Sequence, residues 1–384
     1  TQLLAGNYRE KINNVYTFDS VNGVGKYKVN YGGVFGYVEN SQMRDVNFKG
    51  DINYANTQKI NNIDANIGGI VGYGVNSSLE QANVNDYWVQ NDSTIERHSV
   101  TKTNNEKYSI NINAHSPVND GESVILNVGG IIGSGSEFKC TGSRVTSYTM
   151  TNGSNINVTS DLTSDSSIYA GGIAGSISNT SDSSEMSKVV NTGDITITET
   201  NSNSVMIGGI AGNVSGGKYY AMYNVGELNL NGGNPSLTYS IGGVFGQAET
   251  NSSQTTLSLS KFINFSDINI KPTATGDIKP SKSRIRFAGG VIGRIIGTAS
   301  QLEGGYTLAR ILYDGRYLGV QNQDNQAING IAYMESINPS TFNNVFFVFD
   351  FLPYSNYSNA SAQTSGAMTI VDGSTNLTNT NGVY

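Results

Sequence analysis

The chain has one cysteine (Cys140), two histidines (His98 and His115), six prolines, one tryptophan (Trp88) and only 14% charged residues in a length of 384. A single thiol excludes an intrachain disulfide framework. Two histidines and one thiol leave little material for a nucleophilic triad or a transition-metal centre, and HExxH, CxxC and GKS/GKT are all missing. With those motifs absent, no cofactor is expected. No long Lys/Arg run occurs and the net charge is −7, which argues against a nucleic-acid partner and the basic footprint it needs. The longest apolar stretches, such as Asn344 to Leu352, are far short of a membrane span. Nothing in Thr1–Glu10 reads as a signal peptide, and the lack of an initiator Met points to a mature or trimmed fragment.

What is abundant is glycine, at 46 positions, with Asn, Ser, Thr, Ile and Val, a composition suited to short strands joined by Asn/Gly turns. The pattern Gly-Gly-[Val/Ile]-x-Gly occurs seven times. Its pairs are Gly32-Gly33, Gly68-Gly69, Gly129-Gly130, Gly171-Gly172, Gly208-Gly209, Gly242-Gly243 and Gly289-Gly290, with starts separated by 36, 61, 42, 37, 34 and 47 residues. Repetition at that scale marks an array whose units bury their apolar faces by stacking.

Alternating runs such as Leu237–Ile241 precede the pairs and read as half-buried strands entering a glycine corner. The residue after each pair is β-branched (Val34, Ile70, Ile131, Ile173, Ile210, Val244, Val291) and is expected to form an internal ladder. Tyr37, Tyr73, Ser134, Ser176, Asn213, Gln247 and Arg294, one residue past the third glycine, are expected to face outward. A second element recurs as Phe48-Lys-Gly-Asp-Ile52, Asn191-Thr-Gly-Asp-Ile195, Asn224-Val-Gly-Glu-Leu228 and Asn264-Phe-Ser-Asp-Ile268, with Asn152-Gly-Ser-Asn-Ile156 a looser copy. Its Asn/Gly/Asp supply a turn and its Ile-x-Ile a strand with one inward face. It follows the pair by 18 residues at Gly32→Gly50 and at Gly208→Gly226. Taken as one three-sided coil, that spacing predicts an all-β, right-handed parallel β-helix (β-solenoid) with about two coils per repeat. Roughly fourteen to sixteen coils would then make a rod on the order of 70 Å. A seven-bladed β-propeller is the alternative. The expected division is 1–30 as a cap or first coil, 31–300 as the repeat solenoid, and 301–384 as irregular C-terminal coils and cap.

Function is sought where the period breaks. The 61-residue interval holds an excursion, taken as Leu79–Glu106, with Tyr87, Trp88 and His98; Tyr108–Asn113 beyond it reads as a displaced strand. Insertions in solenoids map to loops on one face, often the binding face. Gly304–Glu335 is the other irregular region, where Tyr313 and Tyr317 lie among Arg310 and Arg316, a mixture that suits protein or sugar surfaces. Asp86, Asp92 and Glu96 are the one acidic grouping that a turn role does not cover. Asp51, Asp194 and Asp267 fall on turns at equivalent places. Asn-x-Ser/Thr sequons, including Asn76, Asn157 and Asn264, follow from composition.

The tandem of Gly-Gly-Ile-Ala-Gly and Asn-Thr-Gly-Asp-Ile-Thr-Ile resembles the glycine-rich repeats called GLUG motifs. The matches are clearest at Gly171–Ile197, Gly208–Leu230 and Gly242–Ile270. Such repeats occur in bacterial surface proteins, including streptococcal immunoglobulin A proteases and large adhesins, and the overall style is similar to autotransporter passengers. The resemblance implies an extracellular or bacterial cell-surface, non-enzymatic module that binds a host or neighbouring-cell protein or glycan. The protease activity does not carry over, because its zinc-ligand motif is missing. A carbohydrate-active β-helix and a toxin-like passenger that oligomerises through coil edges are the alternatives.

Overall fold

The computed structural model describes residues 12–15, 27–55, 63–91, 94–115, 123–143, 149–163, 165–180, 185–201, 203–250, 257–273, 276–297, 300–317, 327–334, 342–347, 369–371 and 376–378. Four stacks of parallel strands run the length of the repeat region. The first holds the strands that end at the glycine pairs, from Tyr27–Gly32 to Ile328–Asn329, and the second the strands that follow them, from Phe35–Glu39 to Ala332–Met334. The third runs from Gln42–Arg44 to Phe342–Phe347 and the fourth from Ile12–Val15 to Ile311–Tyr313. Strands at the same place in successive repeats pair in parallel, so the chain is a β-solenoid. The blades of a propeller are antiparallel sheets, and that alternative falls.

Each repeat is one coil, not two. Gly32 pairs with Gly68, Gly68 with Gly129, and so on to Gly242 with Gly289. Among the described residues the first and second stacks each hold eight strands, so eight coils stand there in place of the expected fourteen to sixteen, and that stack is about 35–40 Å tall. The half-period element does not lie above or below the pair; it faces it across the coil. A Cβ at Gly209 would come closer than 3.0 Å to Asn224, and one at Gly172 equally close to Asn191. The second glycine of each pair makes that approach, while a Cβ on the first would meet the carbonyl three residues on and the backbone of the next coil, as at Gly208 with Ala211 O and Gly246 N; none of them has a positive φ.

Left-handed backbone falls elsewhere. In six of the coils the third stack turns through it, at Asp45, Gln81, Lys188, Ala221, Lys261 and Gly304.

Two internal ladders hold the coils together. Ile70, Ile131, Ile173, Ile210, Val244 and Val291 are fully buried, each contributing about 1.5–3 kcal/mol of burial. Val34, at the N-terminal end of the column, is 38% exposed. Opposite them runs a buried amide ladder. Asn152 Nδ2 donates to Asn191 Oδ1, Asn191 to Asn224, and Asn224 to Asn264, each at 2.9 Å. Asn191 also donates to Gly193 O and accepts from Gly193 N–H, so all four of its bonding positions are filled inside the core. Phe48 and Val84 take this place in the first two coils and Thr307 in the seventh. The Ile-x-Ile strands present one inward face, as at Ile195 and Ile197. The column Tyr37 to Arg294 is at least partly exposed except at Gln247, which is buried and bonds Glu249.

The described part of the 304–335 region continues the stacks. Ile328-Asn329-Gly330-Ile331-Ala332 is an eighth, degenerate copy: Asn329 pairs with Gly289, and Val291 N–H reaches Ile331 O at 3.0 Å. Tyr333 pairs with Arg294, so the third glycine has no counterpart there. Within the 342–384 cap region, Phe342–Phe347 is the last strand of the third stack; most of the remainder lies outside the described residues.

Candidate functional site

The excursion starts later than Leu79. Leu79 pairs with Met43 and Val84 with Phe48 inside the coil. The chain leaves the coil at Asp86, forms an antiparallel hairpin of Asp86–Asn91 and Thr94–Ser99, and returns at Ser109–Ala114, which resumes parallel pairing with Ile52–Ala55. Ser109–Ala114 is the displaced strand expected at Tyr108–Asn113. At the base, Asn85 sits in left-handed backbone (φ 51°) and its amide bonds Gly50 N–H, Gly50 O and Ser154 Oγ. The returning arm is tied down by Lys102 Nζ on Asp51 at 3.1 Å and by Lys107 Nζ on Thr192 O at 2.8 Å.

The hairpin register sets Trp88 opposite Arg97 and Tyr87 opposite His98. Asp86 is buried at the base and pairs with Ser99, while Glu96 pairs with Val89; Asp92 lies outside the described residues. Tyr313 and Tyr317 are not near the hairpin strands in sequence or stack. Tyr313 belongs to the fourth stack and donates its hydroxyl to Asp277 Oδ1 at 2.8 Å, and Arg316–Tyr317 folds back antiparallel on Ile311–Tyr313.

The turn acids stitch one coil to the next. Asp51 accepts Ser109 N–H, Asp194 accepts Glu227 N–H and Asp267 accepts Arg310 N–H, at 2.8, 2.9 and 3.1 Å. His115 Nδ1 is 3.3 Å from Asp161 at the surface. Cys140 is wholly buried, and burial pushes its thiol up to about 12, which removes it as a nucleophile at neutral pH. Among the described residues, no three His, Cys, Asp or Glu side chains gather as a metal site would require. Asn264, one of the sequon residues, is a rung of the buried amide ladder and has no room for a glycan.

Two features escaped sequence reasoning. Tyr37 and Tyr73 stack on successive coils, with ring centroids 5.9 Å apart and Lys28 Nζ 4.2 Å above the Tyr73 ring. Their equivalent places after the third glycine were the available signal. The 47-residue interval hides a long corner at 273–285, flanked by basic residues; its signal was a local concentration of charge that the net value conceals. No protein-family model matches the chain, and neither the curated proteins nor the solved structures contain a match.

Proposed function

We propose that the chain is a non-enzymatic solenoid, secreted or displayed on a bacterial surface, that works as an adhesin, stalk or surface-binding module. Its coils wind right-handed, the hand that parallel crossovers adopt almost without exception. The observation that carries this reading is the hairpin: an antiparallel arm, anchored at Asn85, Lys102 and Lys107, leaves a parallel stack whose interior is filled by side chains. A stacked scaffold that carries such an arm suits recognition of another surface. The GLUG resemblance supports the bacterial-surface setting, and the partner is a protein or glycan of a host or neighbouring cell.

Excision tests it cleanly. The first coil joins Phe48 to Ile52 through three residues, so replacing 86–108 by one glycine gives Val84-Asn85-Gly-Ser109-Ile110, a connection of equal length. The excised chain is expected to melt within a few degrees of the parent. Beads coated with the parent should adhere to epithelial or bacterial monolayers, and beads coated with the excised chain or with Trp88→Ala should not. Equal adhesion of all three would remove the hairpin as the site, and no adhesion by the parent would overturn the reading itself.

A further inference from the structure

Thirteen residues of sequence separate Ile268–Pro272 from Arg286–Gly289, of which 273 and 276–285 are described, whereas five separate the equivalent strands in the preceding coil and four in the one before. The long corner is pinned from inside. The Arg286 side chain, 1% exposed, donates from Nε to Leu237 O at 2.7 Å, from Nη1 to Asp277 O at 2.8 Å and from Nη2 to Pro235 O. Tyr239 donates its hydroxyl to Ile278 O at 2.7 Å, and Ile278 is itself fully buried. A single 3-10 turn, Lys282–Arg284, then delivers Ile285 in left-handed backbone (φ 54°), 49% exposed. A β-branched residue rarely adopts that conformation, and such strain collects at functional sites.

Charge is concentrated on the same segment. Between 271 and 294 lie Lys271, Lys279, Lys282, Arg284, Arg286 and Arg294 against Asp277 alone, a local net charge of +5 in a chain of −7. Lys271 and Arg284 are exposed and Lys279 half-buried, while the Asp277 carboxylate accepts from Lys279 N–H and then from Tyr313 Oη, which hold it below the ordinary carboxylate range.

We propose that this pinned basic corner docks a linear acidic polysaccharide, sulfated or carboxylated. Cations on a loop pinned at its base by Arg286 and Tyr239 attract a polyanion at a reduced ordering cost of the backbone. A narrow polymer touches the corner alone, whereas a planar anionic membrane would also face the acidic remainder of the stack, and one exposed isoleucine is too little apolar area for interfacial insertion. Single-stranded nucleic acid needs exposed stacking platforms. Here Phe287 is 3% exposed, with Tyr333 stacked on it at 4.2 Å and Arg294 at 5.1 Å. The proposal rests on the surface-module reading only in placing the chain where such polymers occur.

Binding of the full chain to immobilised heparin and to chondroitin sulfate is the test, with dextran, phosphatidylserine vesicles and oligo-dT as competitors and NaCl varied. Retention on the sulfated polymers that weakens with salt is expected, with a loss of about tenfold in Lys279→Gln/Lys282→Gln/Arg284→Gln. The charge-matched Lys49→Gln/Lys139→Gln/Lys218→Gln should bind like the parent, and circular dichroism should show both variants folded. Equal losses in the two variants, no retention at low salt, or displacement by vesicles or oligo-dT but not by free heparin would overturn the proposal. Hairpin-dependent adhesion persisting through any of these leaves the surface-module reading standing, so the two fail separately.

Discussion

Gly209→Ala is expected to destabilise the chain by about 3 kcal/mol, the upper end of what one added methyl usually does in a packed core. The added Cβ would lie closer than 3.0 Å to the Gly243 carbonyl oxygen of the next coil and to the Asn224 amide across the interior. Neither can withdraw. Gly243 N–H is bonded to Gly289 O, and Asn224 is tied to Asn191, Gly226 and Asn264. Relief would require breaking a rung of the amide ladder, which leaves buried amide groups unpaired. Gly304→Ala is the control. Gly304 has a φ of 61° and nothing within 4 Å of an added Cβ, so only the backbone preference is lost, about 1 kcal/mol. Denaturant unfolding of the two variants beside the parent measures the gap. Comparable midpoints for both would mean that the close approach at the glycine pair does not limit stability.

The same contact explains what the sequence could and could not disclose. Strand faces were legible because alternation is local: the inward Ile-x-Ile and the β-branched residue after each pair need no knowledge of neighbours. The coil length was not. A spacing of 18 residues between Gly208 and Gly226 fits a stacked half-size coil as well as two elements facing each other, and only the contact of Gly209 with Asn224 decides. The same pattern hid the amide ladder, since Asn191, Asn224 and Asn264 stand where turn residues are also usual. The eighth coil was masked by two departures from the pattern, Asn329 at the first glycine and the loss of the third. The hairpin was found by its length and misplaced at its N-terminal end, because Leu79 and Val84 are core residues that look no different from excursion residues. The Tyr313 and Tyr317 site rested on composition alone, and Tyr313 is engaged by Asp277. The basic corner was overlooked because Pro, Ser and Ile interrupt its cations, so no run appears.

Stability is expected to fall as pH rises from about 5 to 7.5, the reverse of ordinary acid denaturation, and the cause is Glu199. This residue occupies an inward position in the fourth stack after Ile195 and Ile197, in register with Ser160 before it and Gly232 after it. It is 0% exposed, and burial pushes its carboxyl from 4.5 up to about 7, against the opposing pull of hydrogen bonds from Ser160 Oγ, Asn201 N–H at 2.7 Å and Asn203 Nδ2 at 2.9 Å. Asp161, which faces His115, adds a smaller upward push. The folded chain therefore holds a proton between pH 4.5 and 7 that the unfolded chain has released, so stability is full below that window and declines through it. The whole decline is about 3 kcal/mol. Asp277, held low, acts only at more acidic pH and with the opposite sign. The neutral acid also suits the surroundings, because Asn203 Oδ1 is buried without a partner, and rotation of that amide would let it accept the carboxyl proton. Glu199→Gln offers an N–H in the same place at every pH. Its unfolding midpoint should stay level between pH 5 and 8 and exceed the parent's at pH 8, while the parent's falls. Parallel slopes for the two chains would exclude Glu199 as the titrating group.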